Sequence, residues 1–127
     1  MRLHYQKHYT LEEARALLPR VRGWLERLNQ LNKRRANYDR QITQMIEGGC
    51  DAGGHTVNNG IKTLVEMKSL LGEFQSREIQ VKDLERGLID FPAIIGGKEV
   101  FLCWEQDEED IEFWHDLDTG YAGRERL

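Results

Sequence analysis

The sequence predicts an α+β fold in which a long antiparallel helical hairpin, with a kink in its first helix, is followed by a small antiparallel β-meander. Three observations support this prediction. Apolar residues recur with helical spacing over residues 11–45 and again over 61–74, and beyond Glu78 the apolar pattern changes to a period of two. Helices therefore precede strands along the chain, as in α+β proteins.

The length of the chain predicts one domain. A protein of 127 residues buries roughly two-thirds of its unfolded surface, which is enough for a single hydrophobic core. Apolar residues make up 39% and charged residues 31% of the chain, a composition that suits elongated helices with much solvated surface. We expect one domain over residues 1–127, with the hairpin at 10–77 and the β-meander and a C-terminal turn at 78–127.

The first helix is predicted to begin after Thr10. Thr10 and Glu13 have the spacing of a capping box, in which each side chain accepts a hydrogen bond from the backbone amide of the other residue. Pro19 cannot donate to the carbonyl of Arg15, so we expect a kink there rather than an end. The helix should stop at Gly48. Its apolar stripe begins with Leu11, Ala14, Leu18, Val21, Leu25 and Leu28.

A second, shorter helix is predicted to run back along the first. Residues 48–60 contain five glycines and are expected to form a flexible connection. The stripe over 61–74 then predicts a helix that ends at 75–77. At 1.5 Å per residue the first helix would be roughly 55 Å long and the second about 25 to 30 Å. About half of the first helix therefore lacks a partner within the hairpin.

Four short strands are predicted after the hairpin. Gly96-Gly97 is a tight-turn signal between the second and third strands. Pro92 has no backbone donor, so its strand should lie at an edge of the sheet or finish there. The strand candidates are Ile79–Val81, Leu88–Ala93, Val100–Trp104 and Ile111–Trp114.

Composition argues against several classes of protein. The chain has two cysteines, Cys50 and Cys103, and no C-x-x-C motif, so a disulfide framework is not expected. The N-terminus has no apolar signal segment, and no run approaches the ~20 apolar residues of a membrane span. We therefore expect a cytoplasmic protein without a membrane interaction.

Nucleic-acid binding is also not expected. Lys33-Arg34-Arg35, with Arg27 and Arg40, is a basic cluster on the first helix. Consecutive helical residues point about 100° apart, however, so these side chains cannot form one ridge along a phosphate backbone. A pI of about 5.6 argues against nucleic acid as well. A solvated helix surface explains the cluster better.

Three C-terminal segments resemble a known family. They are IQVKDLERGLIDFPA (79–93), GGKEVFLCW (96–104) and FWHDLDTGYAGR (113–124). Together with YTLEEARALLP (9–19), they are similar to an uncharacterised prokaryotic family called domain of unknown function 2203. The resemblance implies no activity, cofactor or catalytic residue.

The chain departs from the pattern of that family at two places. Glu78 stands where glycine is expected after the second helix, so Glu78 would have to adopt the left-handed conformation or the helix must end differently. Residues 106–108 replace a commoner Gly-Glu turn. The sequence therefore leaves two alternatives for how the second helix ends.

A candidate metal or polar site lies near the end of the chain. His115 is followed by the carboxylates of Asp116 and Asp118, and Asp90 and Cys103 come from neighbouring predicted strands. A divalent metal needs such nitrogen, oxygen and sulfur ligands to converge from several elements. In an extended strand His115 and Asp116 face opposite sides, so only a turn would bring His115 and Asp118 together. We favour a hydrogen-bonded His115 at the end of the sheet, with the two aspartates forming a turn, and we expect that His115 is not a tight metal ligand.

Asp90 and Cys103 both admit structural explanations. Asp90 lies between Ile89 and Phe91, so it either points to solvent, which we favour, or is buried with a raised pKa and a partner such as His115 or Arg124. Cys103 resembles a buried strand residue without a nearby cationic residue in the sequence. Nucleophilic catalysis is therefore unsupported.

The leading functional interpretation is a non-enzymatic cytoplasmic interaction or scaffold module without a cofactor. Because half of the first helix lacks a partner, its apolar face must be covered by the sheet, by a second copy of the chain or by another protein. We expect a homo-oligomer. The residues predicted to form its contact are Leu17, Leu18, Val21, Trp24, Leu25 and Leu28.

The alternative is a small metal-binding protein or metal-dependent enzyme that uses His115, Asp118 and Asp90, with Asp116. The two interpretations differ in one structural respect. A metal site requires these side chains to lie within coordinating distance of one another, whereas an interaction module does not.

Overall fold

The computed structural model describes residues 2–49 and 54–127. It contains two helices followed by one antiparallel sheet in which the strands lie in chain order. The predicted fold class is confirmed. The elements are α1 (Leu11–Glu47), α2 (Gly54–Gln75), β1 (Gln80–Asp83), β2 (Leu88–Ile95), β3 (Lys98–Glu105), β4 (Phe113–Asp116), a 3₁₀ turn (Tyr121–Gly123) and β5 (Glu125–Arg126).

Helix α1 begins and ends where the sequence predicts. The hydroxyl of Thr10 accepts from the amide of Glu13 at 3.1 Å, and the Glu13 carboxylate accepts from the amide of Thr10 at 3.0 Å. Gly48 caps the other end. Pro19 lies inside the helix, which is unbroken around it. The helix continues because buried residues of the apolar stripe, Leu18 and Val21, pack into the core on either side of Pro19.

Helix α2 begins earlier than predicted. Residues 54–60, which we assigned to the flexible connection, are helical, while residues 50–53 lie outside the described part of the chain. Two contacts explain the difference. Asn59 and His55 are hydrogen-bonded at 3.1 Å across one helical turn, and Gly60 packs beside the side chain of Tyr38 on α1. Tertiary packing thus overrides the low helix propensity of glycine and asparagine.

Glu78 ends the hairpin in the left-handed conformation, one of the two alternatives that the sequence left open, with φ 57°. Its carboxylate accepts from the amides of Gln6 and Lys7 at 2.9 and 2.8 Å. A glutamate at this position therefore has a structural role that glycine would lack, although its backbone is strained.

The sheet differs from the prediction in two details. β2 lies between β1 and β3 and continues to Ile95, so Pro92 neither ends a strand nor lies in an edge strand. β1 pairs with β2 only up to Asp90, and the Pro92 carbonyl accepts instead from the amide of Tyr9 at 2.7 Å. The N–H and C=O groups of a strand residue point to the same side of the strand. The position at which Pro92 lacks an N–H therefore faces the side of β2 where β1 no longer pairs, so no ladder hydrogen bond is lost.

The end of the chain also differs from the prediction. The fourth strand begins at Phe113 and not at Ile111, which is buried just before it. The last residues form a fifth strand, β5, which pairs with Phe113 and Trp114. Two-residue strands carry too little periodicity to be recognised in a sequence.

One face of the sheet packs against α1. The guanidinium of Arg22 lies 4.8 Å from the centre of the Trp104 ring and donates to the carbonyls of Gln106 and Glu108 at 3.0 and 2.8 Å. Trp24 on the same helix meets Phe74 of α2 edge to face at 5.3 Å. One buried cluster contains Leu18, Val21, Leu25, Leu28, Phe74, Ile89, Phe91, Leu102 and Trp104.

The sheet and α2 therefore cover the part of α1 that lacked a partner in the sequence-based prediction. Of the six residues predicted for self-association, only Leu17 and Trp24 remain partly exposed. The other four, Leu18, Val21, Leu25 and Leu28, are between 0 and 6% exposed. The apolar stripe thus forms part of the core of the chain itself. The sequence analysis named such a cover by the sheet as an alternative to a second copy of the chain.

No helix within the described ranges combines the length and apolar character that crossing a membrane requires.

Candidate functional site

Three polar side chains meet on the face of the sheet opposite the helices. Asp90 on β2 is the direct cross-strand partner of Cys103 on β3, and His115 on β4 is the partner of Phe101, two residues from Cys103. Side chains two residues apart on a strand share a face. The antiparallel register of three neighbouring strands therefore brings Asp90, Cys103 and His115 together.

The site is buried and hydrogen-bonded. His115 Nε2 lies 3.1 and 3.0 Å from the two carboxylate oxygens of Asp90. The other ring nitrogen, Nδ1, donates to the backbone carbonyl of Asp116 at 2.7 Å. This bond fixes the ring so that Nε2 points toward Asp90. Asp90 and His115 are each 2% exposed, and Cys103 is fully buried.

The expectation that Asp90 points to solvent is therefore wrong. Asp90 lies on an inner strand whose two faces are both covered. Its partner is His115, which the sequence analysis suggested as a partner for Asp90 if that residue were buried. Burial raises the pKa of Asp90, and the opposing attraction of His115 only partly offsets this effect.

Cys103 is a free thiol beside a cation. Burial, followed by the negative charge of Asp90, raises the pKa of Cys103 to about 12. Arg124 Nη1 lies 4.0 Å from the sulfur, and its guanidinium pairs with the carboxylate of Glu108 through two contacts of 3.0 Å. The cationic residue that the sequence near Cys103 lacked thus comes from the C-terminal segment.

The three side chains have the composition of a metal-ligand set. One possible ligand atom from each of Asp90, Cys103 and His115 lies within 4.8 Å of the other two. Oxygen, sulfur and nitrogen donors from three strands suit a borderline-soft divalent ion such as zinc. In the part of the chain that the structure describes, no other trio of histidine, cysteine and acidic side chains converges in this way.

Two of the sequence-predicted site residues lie elsewhere. Asp116 points away from His115, as alternation along β4 requires, and its carboxylate contacts Lys98 Nζ at 2.8 Å. Asp118 is exposed in the turn that follows β4. Of the four candidates, the fold joins Asp90 and His115, and Cys103 completes the group. Arg124, which the sequence analysis named as a possible partner of Asp90, lies beside Cys103 and pairs with Glu108.

The basic cluster of α1 is partly neutralised. Arg27 contacts Glu66 of α2 at 2.5 and 3.0 Å, and Arg35 contacts Asp39 one turn along the same helix at 2.8 Å.

Comparison with known proteins places the chain in a family without assigning an activity. A family model described as an uncharacterized conserved protein (DUF2203) matches residues 7–127. No curated protein and no solved structure was found to match the chain.

Proposed function

The chain belongs to the DUF2203 family, whose description names no activity, and we propose from the site itself that the protein binds one divalent metal ion, zinc in preference to magnesium or calcium. The observation that carries the proposal is the convergence of Asp90, Cys103 and His115. The sequence analysis made the convergence of His115, Asp90, Asp116 and Asp118 the feature that distinguishes a metal site from an interaction module. Of these four, His115 and Asp90 converge, and Cys103 joins them.

The orientation of His115 supports this proposal. A metal-binding histidine usually donates its second ring nitrogen to a carbonyl or carboxylate, which fixes the tautomer and directs the lone pair of the other nitrogen at the metal. His115 has this arrangement, since Nδ1 donates to the Asp116 carbonyl and Nε2 faces the cluster. The same orientation also satisfies a buried His115–Asp90 pair without a metal, so metal analysis distinguishes the two.

The donor set supports zinc. Magnesium and calcium take oxygen ligands almost exclusively, and a set with one sulfur and one nitrogen donor would bind them poorly. Zinc accepts sulfur, nitrogen and carboxylate oxygen in a tetrahedral arrangement. The three side chains would supply three of the four positions.

We propose binding rather than catalysis, because the site is closed. Asp90 and His115 are 2% exposed, so a substrate would reach the metal only after a covering segment moved. A free cysteine ligand suits the cytoplasmic location that the sequence predicts, because disulfides rarely form in a reducing compartment.

Metal analysis of untagged protein tests this proposal. The protein is expressed without added metal and analysed by mass spectrometry for zinc, manganese and iron, and metal-free protein is then titrated with zinc. We expect one zinc per chain, and we expect the substitutions His115→Gln, Cys103→Ser and Asp90→Asn each to weaken zinc binding by roughly tenfold or more.

Matched substitutions serve as controls for this experiment. Asp118→Asn and Asp116→Asn change carboxylates next to the site, and His55→Gln changes an exposed histidine of α2. These three variants should bind zinc like the parent chain. The proposed metal site is wrong if the parent takes up no zinc at micromolar concentrations. It is also wrong if Asp118→Asn weakens zinc binding as much as Asp90→Asn does.

Self-association through the long helix is a second candidate. Leu17 and Trp24 remain partly exposed on α1, and three apolar side chains of the neighbouring α2, Ile61, Leu64 and Val65, are 50 to 62% exposed. Ile61, Leu64 and Val65 follow helical spacing, and exposed apolar side chains with this spacing favour an interaction surface. This surface is compatible with metal binding, because the metal site lies on the opposite face of the sheet.

A further inference from the structure

The outer face of the sheet, which we define as the face opposite the helices, is covered by neither α1 nor α2 in the described part of the chain. Asp90, Phe101, Cys103 and His115 point to this face, and each is at most 2% exposed. Their neighbours Ile89 and Leu102 point toward the helices. The four outer side chains must therefore be covered by segments outside the helical layer.

Part of the cover comes from the N-terminal segment. The ring of Tyr5 lies 5.5 Å from the ring of Phe101, which lies 5.5 Å from the ring of His115. Burial, followed by the negative charges of Glu99 and Asp90, raises the pKa of the Tyr5 phenol, which agrees with a position above the site. Tyr5 itself is only partly buried.

Two carboxylates hold the N-terminal segment in place. Glu99 accepts from the backbone amides of His4 and Tyr5 at 2.8 and 3.0 Å, and from the rings of His4 and His8 at 3.0 and 2.7 Å. Glu78 accepts from the next two amides, those of Gln6 and Lys7. Four consecutive backbone donors therefore bind to side chains instead of a helix or strand.

This mode of attachment allows the segment to open locally. Residues 4–8 belong to no helix or strand, so releasing them breaks none of the backbone hydrogen bonds of the sheet or the helices. Segments held by a few partly exposed contacts open at a much lower free energy than the whole protein. Opening would lift Tyr5 from Phe101 and leave the helical side of the sheet unchanged.

We propose that residues 4–8 form a strap that controls access to the Asp90–Cys103–His115 site, with Glu99 as the latch. The regulation of metal exchange rests on the proposed function, whereas the covering role of the strap does not. With the strap open, solvent and a metal ion reach the site across the outer face. With the strap closed, Tyr5 and Phe101 exclude water from it.

The reactivity of Cys103 tests the strap without any metal. The chain has two cysteines, so in a Cys50→Ser background Cys103 is the single thiol. We expect an uncharged maleimide to label Cys103 of the metal-free protein slowly. In Glu99→Ala the labelling rate should rise roughly tenfold or more, because the lost hydrogen bonds to a charged group shift the opening equilibrium by at least that factor.

Two further variants make the result specific. Tyr5→Ala removes the covering ring, leaves the latch intact, and should also accelerate labelling. Glu66→Gln breaks the contact with Arg27 in the helical hairpin, far from the strap, and should label at the parent rate. Labelling of Cys103 at the parent rate in both Glu99→Ala and Tyr5→Ala would contradict the strap. Labelling that is accelerated equally in Glu66→Gln would contradict it as well.

Zinc exchange provides a separate measurement. For protein loaded with zinc, transfer of the metal to a chelator should be faster in Glu99→Ala and Tyr5→Ala by about the same factor as thiol labelling, with one zinc still bound at saturation. Faster labelling supports the strap even in a chain that takes up no zinc. Faster labelling with unchanged zinc transfer would overturn its role in metal exchange.

Discussion

His115 Nε2 lies 3.0 and 3.1 Å from the two carboxylate oxygens of Asp90, with both side chains 2% exposed. The pair joins β2 to β4 across the intervening strand β3. Burying two polar groups costs free energy unless each satisfies the other, so the pair contributes to stability only while both members are present.

Removing one member of this pair should be costly. We expect Asp90→Ala and His115→Ala each to lower the free energy of unfolding of the metal-free protein by about 3 kcal/mol, because the remaining partner is left buried and unpaired. The double variant should cost less than the sum, with a coupling on the order of 2 kcal/mol. Urea unfolding followed by circular dichroism measures all three values.

The neighbouring contact of Lys98 with Asp116 is the matched control for that cycle. Its side chains are 66 and 37% exposed, and exposed pairs contribute at most about 1 kcal/mol. A coupling between Asp90 and His115 that is no larger than the coupling of this surface pair would contradict a satisfied buried pair.

Glu99 should make the protein sensitive to acid. Burial would raise its pKa, but hydrogen bonds from His4, His8 and Tyr5 reverse this effect and lower the pKa from 4.5 to about 2. A carboxylate with a lowered folded-state pKa contributes its full stability above the unfolded-state value and loses it as the pH falls. The contribution of Glu99 is therefore expected to disappear between about pH 4.5 and pH 2.

The variant Glu99→Gln checks this expectation. At pH 7 its free energy of unfolding should be about 2 kcal/mol lower than that of the parent, since hydrogen bonds to a charged group are lost. The difference should shrink toward zero as the pH approaches 2. A difference that stays constant over this range would show that the charge of Glu99 is not responsible.

Leu25→Asp separates the core from a contact between chains. Leu25 is fully buried within the chain, so we expect this substitution to lower the free energy of unfolding by about 4 kcal/mol or more at every protein concentration. Leu17→Asp, on the same helix but partly exposed, should leave the chain folded. Light scattering coupled to size exclusion then gives the mass of each folded variant.

Self-association predicts specific masses in that experiment. If α1 contributes to a dimer, the parent chain should have a dimer mass at tens of micromolar, and Leu17→Asp should reduce it. A monomer mass for the parent would contradict self-association. A folded, stable Leu25→Asp variant would contradict the assignment of this residue to the core.

Glu78 combines backbone strain with two useful hydrogen bonds. Glu78→Ala loses the bonds to Gln6 and Lys7 and keeps the strained φ of 57°, whereas Glu78→Gly loses the same bonds and relieves the strain. Glycine should therefore be more stable than alanine here by about 1 kcal/mol. Thermal or urea unfolding of the two variants measures this difference. Equal stability would show that the backbone at this position is not strained.

The helical half of the protein was largely predictable, because its signals are local. The capping box of Thr10 and Glu13, the glycine stop at Gly48 and the period of the apolar stripe each depend on residues a few positions apart. The left-handed conformation of Glu78 was one of two alternatives, because the sequence did not decide how the second helix ends. The start of α2 was missed because packing against Tyr38 outweighs local propensity at Gly60.

The site was only half predictable, because its members are brought together by strand register. Residue types alone pointed to Asp90 and His115, but nearness in sequence also suggested Asp116 and Asp118, which the pleat of β4 and the following turn exclude. Cys103 was weighed without Arg124, which lies 21 residues further along the chain and contacts the sulfur at 4.0 Å.

The sequence by itself determined the order and type of the main elements, because hydrogen bonding within a helix and alternation along a strand leave a periodic record in neighbouring residues. Only the tertiary structure decided which surface covers α1, whether Asp90 is buried and which third side chain joins Asp90 and His115. Those outcomes depend on which face of the sheet packs against the helices and on how the terminal segments cover the other face. Such contacts join residues far apart in the chain, so no local pattern contains them.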